Sequence, residues 1–361
     1  MIKPEEYARR RRRLMTEAGD NALILIGSAR QLLRNGDSHY AFRQDSDFLY
    51  LTGLKEPEAV LALVPGREQG EQILFCQPSD PERERWDGPR LGLDGARDLL
   101  GMDDAFPIND LDDILPKLME GVSRVYHPVG KDAEFDQRII GWRRRLRQLR
   151  RNEKGPGEIV SLEYLLHEQR LIKSREEIRV MKKAARISAA AVTRAMRHCR
   201  PGMNEAEIQA ELMHEYQRHG CEPAYLPIVA GGANALILHY IQNDQTLPED
   251  GLLLIDAGCE VDGYAADISR TFPVNGRFSA AQKAVYEVVL EAQQAAIDQV
   301  RPGRAFEAYH EAAVRTLTEG LVELELLRGE VDGLIEQQAY RRFYMHKTGH
   351  WLGLDVHDVG D

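Results

Sequence analysis

The chain repeats an arrangement of helices, and that repeat narrows its possible folds more than any other feature. A helix expected over about residues 176–198 ends at Arg200-Pro201-Gly202, and another follows over 204–219. About a hundred residues later a helix over 279–300 ends at Arg301-Pro302-Gly303, and another follows over about 305–327. Proline removes a backbone donor and glycine supplies flexibility, so Pro-Gly stops each first helix, and Ser279 is a natural N-cap. A duplicated helix–helix–sheet unit would place a ligand site between its two halves. The first unit continues into strands, so the second should as well. It has only reached a histidine run when the sequence arrives at Asp361, and the closing strands of the second repeat are expected to be missing.

The strands after the first helix pair carry the chemistry. Residues 251–259 and 264–274 are apolar runs around Val261-Asp262-Gly263, and Asp-Gly is a strong signal for a two-residue hairpin turn. With that turn Asp256 lies opposite Ser269 and Asp267 opposite Gly258. The two aspartates then become diagonal neighbours on one face, roughly 7 Å apart at the backbone. Carboxylates held so close in an apolar sheet repel unless cations sit between them. A pair of divalent metals roughly 3.5–4 Å apart fits that spacing. The plainer alternative has one aspartate facing solvent and the other capping a loop.

Three histidines fall in the final run, His346, His350 and His357, with Gly349 and Gly353 allowing close backbone approach. His350 would supply a nitrogen ligand beside the carboxylates. Oxygen-rich ligation with one imidazole suits manganese or another hard-to-borderline divalent ion better than structural zinc. His239, in Ile237-Leu238-His239-Tyr240, is either a satisfied core residue or a group that moves a proton or holds a substrate carbonyl. His214 and His219 are five apart, so they do not share a helix face as a zincin pair must. No phosphate-binding glycine loop, nucleophile elbow or dinucleotide fingerprint is present.

The first part alternates strands (21–27, 48–52, 59–64 and 72–76) with helices (110–119 and 132–151). In the second helix Ile139, Trp142, Leu146 and Leu149 recur at helical spacing. Arg143, Arg144, Arg145, Arg147, Arg150 and Arg151 then fall mostly on its other faces, either solvated or open to an acidic partner. Residues 152–157 (Asn-Glu-Lys-Gly-Pro-Gly) read as a linker, which divides the chain into 1–173 and 174–361. A formal charge of -11 argues against nucleic acid as a principal partner. Four cysteines without C-x-x-C spacing read as reduced thiols. Arg9–Arg13 has no apolar stretch behind it, so it is not a secretory signal, and no run is long enough to span a bilayer. The default location is the cytoplasm.

These residues resemble the proline-specific aminopeptidase (aminopeptidase P) branch of the metallopeptidases with the pita-bread fold. The likeness runs through Tyr40–Gly53, Arg85–Gly92, Arg170-Leu171-Ile172-Lys173-Ser174, Ile237–Tyr240, the hairpin aspartates and the final histidine run. It implies an α/β chain, with an N-terminal mixed αβα domain that is non-catalytic and a C-terminal pita-bread domain with an internal pseudo-twofold repeat. By the resemblance Asp256 chelates one metal, Asp267 bridges two, and His350 completes one side. His239 and His357 contact the substrate around the scissile bond, and His346 shapes the pocket for the proline ring with Tyr225 nearby. Trp86 resembles the tryptophan that reaches toward a neighbouring subunit's site in tetrameric members, so a homo-oligomer, tetramer or dimer, is expected. The implied cofactors are two divalent ions, most readily Mn2+, and the implied substrates are peptides with proline at position two. The implied alternatives are a prolidase acting on Xaa-Pro dipeptides and a non-catalytic pita-bread protein that binds peptides. The family completes its site with two glutamates on later strands. The 361 residues are therefore expected to be part of a longer enzyme, and on their own to bind metal weakly with little or no activity.

Overall fold

The computed structural model describes residues 2–149 and 155–360. Arg150, Arg151 and residues 152–154 of the expected linker lie outside the described residues, as does the side chain of Leu149. The chain forms two compact units: Met1–Ala185 with Glu260–Ala266 and Leu352–Asp361, and Arg186–Cys259 with Asp267–Trp351.

The first unit is built on a mixed sheet of β1 (Ala22–Gly27), β2 (Val60–Leu63), β3 (Gln72–Cys76), β4 (Asp104–Pro107), β5 (Arg124–His127) and β6 (Glu158–Ser161). Its order is β4-β3-β2-β1-β5-β6, with β2 antiparallel to both neighbours and the other pairs parallel. Leu23, Leu25, Ile73, Phe75 and Val125 pack with Leu111 and Leu115, and with Phe135, Ile139, Trp142 and Leu146. The helical spacing seen in Ile139, Trp142 and Leu146 is thus the buried stripe of Ala133–Leu149, and Arg144, Arg145 and Arg147 are exposed.

The N-terminal arginine run lies on α1 (Pro4–Ala18), where Arg10 and Arg11 are buried and Arg9, Arg12 and Arg13 are exposed. Arg11 donates to the carbonyls of Leu51 (2.9 Å) and Leu100 (2.8 Å), and Arg10 donates to the Tyr50 carbonyl (3.0 Å). Those acceptors replace the water that buried guanidinium groups lose.

One expected strand is a helix. Residues 48–52 belong to α2 (Ser46–Thr52), which is capped by the Asp45 carboxylate accepting from Phe48 N at 2.9 Å and ends at Gly53 with φ 72°. All its residues are buried, so the segment shows no polar face to betray a 3.6-residue period.

The second unit holds most of the repeat. The helix Arg175–His198 crosses from the first unit at residue 185, and Glu205–Arg218 follows with Asn204 in a capping box. The second pair is Ala280–Ile297, capped by Ser279 with Gln282 reaching back, and Ala308–Glu323. Between the pairs lies an antiparallel sheet of β7 (Ile228–Gly231), β8 (Leu252–Ala257) and, last in the chain, β11 (Ile268–Pro273), with β8 central. The hairpin is interrupted after Ala257, and the short pair β9 (Cys259–Val261) and β10 (Tyr264–Ala265) beyond the break belongs, from Glu260 on, to the first unit. Its turn has φ 51° at Asp262 and 84° at Gly263, both positive as the expected two-residue turn requires.

The two helix pairs differ in cover. Arg175–His198 buries Ile187, Ala191, Val192 and Ala195, whereas Ala280–Ile297 buries only Ala292 and Ala296 and exposes Val285, Val289, Leu290 and Ile297. No strand follows Pro273 among the described residues. All four cysteines are buried and none forms a disulfide, and among the described residues no helix is long and apolar enough to cross a membrane.

Candidate metal centre

Along β8 burial alternates, with Leu253, Ile255 and Ala257 inward and Leu252, Leu254 and Asp256 on the half-exposed face. Asp256 pairs with Ile228 on one side and Ser269 on the other, the register set by the Asp-Gly turn. Asp267 precedes β11, in the break where the ladder is interrupted, and its carboxylate reaches the same face as that of Asp256.

A phenol lies between the two carboxylates. Tyr225 Oη is 2.6 Å from Asp256 Oδ1 and 2.7 Å from Asp267 Oδ1, so one proton is shared by two acceptors. Burial, and then the neighbouring Asp256 charge, hold the Tyr225 hydroxyl far above its ordinary range, which keeps it a neutral donor. Burial also raises the Asp256 carboxyl, and the Asp267 charge pushes it the same way against the Tyr225 hydrogen bond. No lysine or arginine is paired with either aspartate among the described residues.

His350 comes from the final run. Its Nδ1 lies 2.8 Å from the Trp351 carbonyl, which can only accept, so Nδ1 carries the hydrogen. Nε2 is the nitrogen left to face Asp267 Oδ2, at 3.1 Å. Anchoring Nδ1–H on a carbonyl is the arrangement that frees Nε2 as a metal ligand. The run is held in the second unit by Tyr309, which donates to the Gly349 carbonyl at 2.9 Å. Two further contacts reach Thr348 Oγ1, from His310 Nδ1 (2.8 Å) and the Tyr344 hydroxyl (2.7 Å).

Among the described residues no three His, Cys, Asp or Glu side chains are gathered closely enough to hold a metal ion as they stand. The donor chemistry nevertheless fits one: two carboxylates on one face, an oriented imidazole, and a neutral hydroxyl shared between the carboxylates with no lysine or arginine paired to them among the described residues.

The remaining expected residues are placed separately. His239 is exposed in a loop with Leu236, Ile237, Leu238 and Ile241, also exposed, and no hydrogen bond among the described residues links it to the aspartates. The loop is fixed through Glu205, a fully buried carboxylate that sequence reasoning did not single out. Glu205 accepts from Tyr240 Oη (2.7 Å), Asn234 Nδ2 (2.9 Å), Gly231 N (2.7 Å) and Gln245 N (3.0 Å). His346 is exposed and stacks edge-on against Tyr344. His357 and Trp86 belong to the first unit, where both are exposed, Trp86 by 86% on the short helix Glu84–Asp87.

Comparison with known proteins identifies the family. Residues 179–361 match metallopeptidase family M24, and residues 7–126 match the aminopeptidase P N-terminal domain. The chain is 44% identical to a Xaa-Pro aminopeptidase of Haemophilus influenzae over 99% of its length and 81% of the relative's. It is 43% identical to that of Escherichia coli over 99% of its length and 82% of the relative's. The structure of Pseudomonas aeruginosa aminopeptidase PepP superposes with a TM-score of 0.98 at 54% identity, covering 100% of this chain and 82% of that one. Zinc-substituted E. coli aminopeptidase P in complex with product gives a TM-score of 0.97 at 43% identity, with the same coverage. The fold is accordingly an N-terminal mixed α/β domain followed by a pita-bread domain, as the sequence led us to expect. The chain belongs to metallopeptidase family M24, among its Xaa-Pro aminopeptidases.

Proposed function

We propose that Asp256, Asp267 and His350 supply part of the ligand shell of two divalent ions, manganese in the native protein, and that the enzyme removes the first residue from peptides whose second residue is proline. The observation that carries this reading is the pair of carboxylates sharing one phenolic proton, with His350 Nε2 at 3.1 Å from Asp267. That cluster gathers carboxylates that no lysine or arginine neutralises among the described residues, on the residues the M24 resemblance assigns to metal. When bound, divalent ions supply Lewis-acid polarisation of the scissile carbonyl and lower the pKa of water.

The chain's own groups do the rest. Asp256 and Asp267 are oriented by the Tyr225 hydroxyl, and His350 by the Trp351 carbonyl. Proline's nitrogen carries no hydrogen in the peptide and must gain one as it leaves, so a proton donor beside it is needed. His239 and His357 are assigned that contact with the scissile bond, and His346 with Tyr225 the proline ring. Exposed Trp86 is the residue through which a neighbouring subunit would be reached, in a tetramer or dimer. A division at 173/174 between the non-catalytic and catalytic parts, and a cytoplasmic location, complete the reading.

The test is hydrolysis by metal-stripped protein with and without added Mn2+, using Xaa-Pro dipeptides, Xaa-Pro-Xaa tripeptides, longer Xaa-Pro peptides and matched Xaa-Ala peptides. Metal-dependent release of the first residue from tripeptides and longer Xaa-Pro peptides is expected. Cleavage confined to dipeptides would make the chain a prolidase, and cleavage unaffected by metal would remove the proposed site.

A further inference from the structure

Three sequence stretches that carry the family resemblance have no part in the metal centre: residues 43–47, residues 170–173, and the stretch 353–358 around His357. In the first unit they meet. Arg170, 3% exposed in the last turn of Glu163–Leu171, donates from Nη1 to Asp47 Oδ1 at 2.5 Å. Its Nη2 donates to Asp355 Oδ2 at 2.8 Å and to Asp358 Oδ1 at 2.6 Å. Lys173 Nζ reaches the other oxygen of Asp358 at 2.7 Å, and the Asp358 side chain is 1% exposed. Arg43 donates to the Leu354 carbonyl at 2.6 Å, and Ser46 Oγ to Asp355 Oδ1 at 2.5 Å. Ala265 N donates to the Gly353 carbonyl at 2.8 Å.

The ties therefore fall on both sides of His357, at residues 353, 354, 355 and 358, and His357 itself is an exposed residue. Space is used up as well: a Cβ on Gly353 would collide with the Asp358 carboxylate and come within 3.0 Å of Lys173 Cε. Surface loops do not need this much fixing. A buried guanidinium between carboxylates is costly to desolvate, and it repays that cost by holding one geometry.

We infer that Arg170 and Asp358 are positioning residues, which clamp the backbone on either side of His357 so that its ring is presented to substrate in one orientation. The inference rests on the proposed contact of His357 with the scissile bond. A ring displaced by about 1 Å costs on the order of 100-fold in rate, so loosening the clamp acts on turnover more than on substrate affinity.

The experiment is a double-mutant cycle on the metal-loaded enzyme, combining Asp358→Asn or Arg170→Lys with His357→Ala. Asp358→Asn keeps the side chain's shape. Gly353→Ala is the second route, since it displaces Asp358 while leaving every charge in place. Each single variant, folded by circular dichroism, is expected to lower kcat about 10- to 100-fold with KM changed less than about threefold and bound metal unchanged. In the His357→Ala background the same changes should cost nothing further. In metal-free protein the His357 ring resonances should shift in Asp358→Asn while those of His350 stay in place. Full activity in folded Asp358→Asn and Gly353→Ala would overturn the inference, as would equal fold losses with and without His357. If His357→Ala alone is fully active, the role given to His357 falls instead, an outcome the first arm of the cycle reads separately.

Discussion

Asp47, Asp355 and Asp358 surround a guanidinium, whereas Asp256 and Asp267 surround a phenol. In the first cluster the chain supplies its own positive charge, from Arg170 and Lys173, with Lys131 reaching Asp45 at 2.5 Å and Asp47 at 3.4 Å. That network sets its own cations against its carboxylates, with the side chains of Arg170, Asp47 and Asp358 all buried. In the second cluster the two carboxylates share a neutral O–H, with the Ser269 side chain and the His350 imidazole beside them and no lysine or arginine among the described residues, and burial pushes Asp256 toward the protonated state. Acidic side chains matched by arginine hold a structure together; acidic side chains matched by no lysine or arginine leave room for a cation from solution.

The largest expected effect lies on the second cluster. Asp267→Asn should lower kcat/KM by on the order of 10²–10³-fold or more, measured on an Xaa-Pro tripeptide, with its thermal midpoint nearly unchanged without metal. Arg170→Met should act on stability as well as on turnover. It leaves three carboxylates facing each other and should lower stability by about 3–5 kcal/mol in urea denaturation. If Asp267→Asn proved the more destabilising of the two in metal-free protein, the contrast between the clusters would fail.

Tyr225→Phe sharpens the comparison. Removing the shared hydroxyl should destabilise metal-free protein by about 1–3 kcal/mol, and the loss should shrink when Mn2+ is saturating. An equal loss in both states, read from paired thermal melts, would mean that the phenol and the cation do not serve the same charges.

The smallest effect at neutral pH is the titration of Asp47. Burial alone would raise its carboxyl, but the His167 hydrogen bond and the Arg170 and Lys131 charges overcome that and hold it well below the usual range. A group whose folded pKa lies below its unfolded value of about 3.9 stabilises the fold fully above that pH, and the contribution disappears as pH falls through and below it. Unfolding curves between pH 5 and about 2 should therefore be steeper for wild type than for Asp47→Asn. Parallel curves would contradict the assignment.

The legible parts of the molecule were those set by local rules. The Asp-Gly turn fixes a two-residue period, and with it the pairing of Asp256 with Ser269 follows from sequence alone. Ser279 announced its helix because capping is chemistry within four residues. Residues 48–52 were misread because a helix buried on all sides carries no alternation to distinguish it from a buried strand. The hydroxyl of Tyr225 could be placed near the site only by resemblance, since it reaches Asp256 across 31 residues and Asp267 across 42. Arg170 and Asp358 are 188 residues apart, and nothing in either segment by itself indicates the other. Glu205 looked like one more acidic residue at a helix start, yet its four donors come from the segment 231–245 that carries His239.

The most direct test of the account is calorimetric titration of Mn2+ into metal-free protein, wild type against Asp267→Asn. Saturable binding to wild type that is lost or severely weakened in Asp267→Asn is the predicted result. Binding of equal strength and stoichiometry to both proteins would place the metal elsewhere and contradict the assignment of the hairpin aspartates.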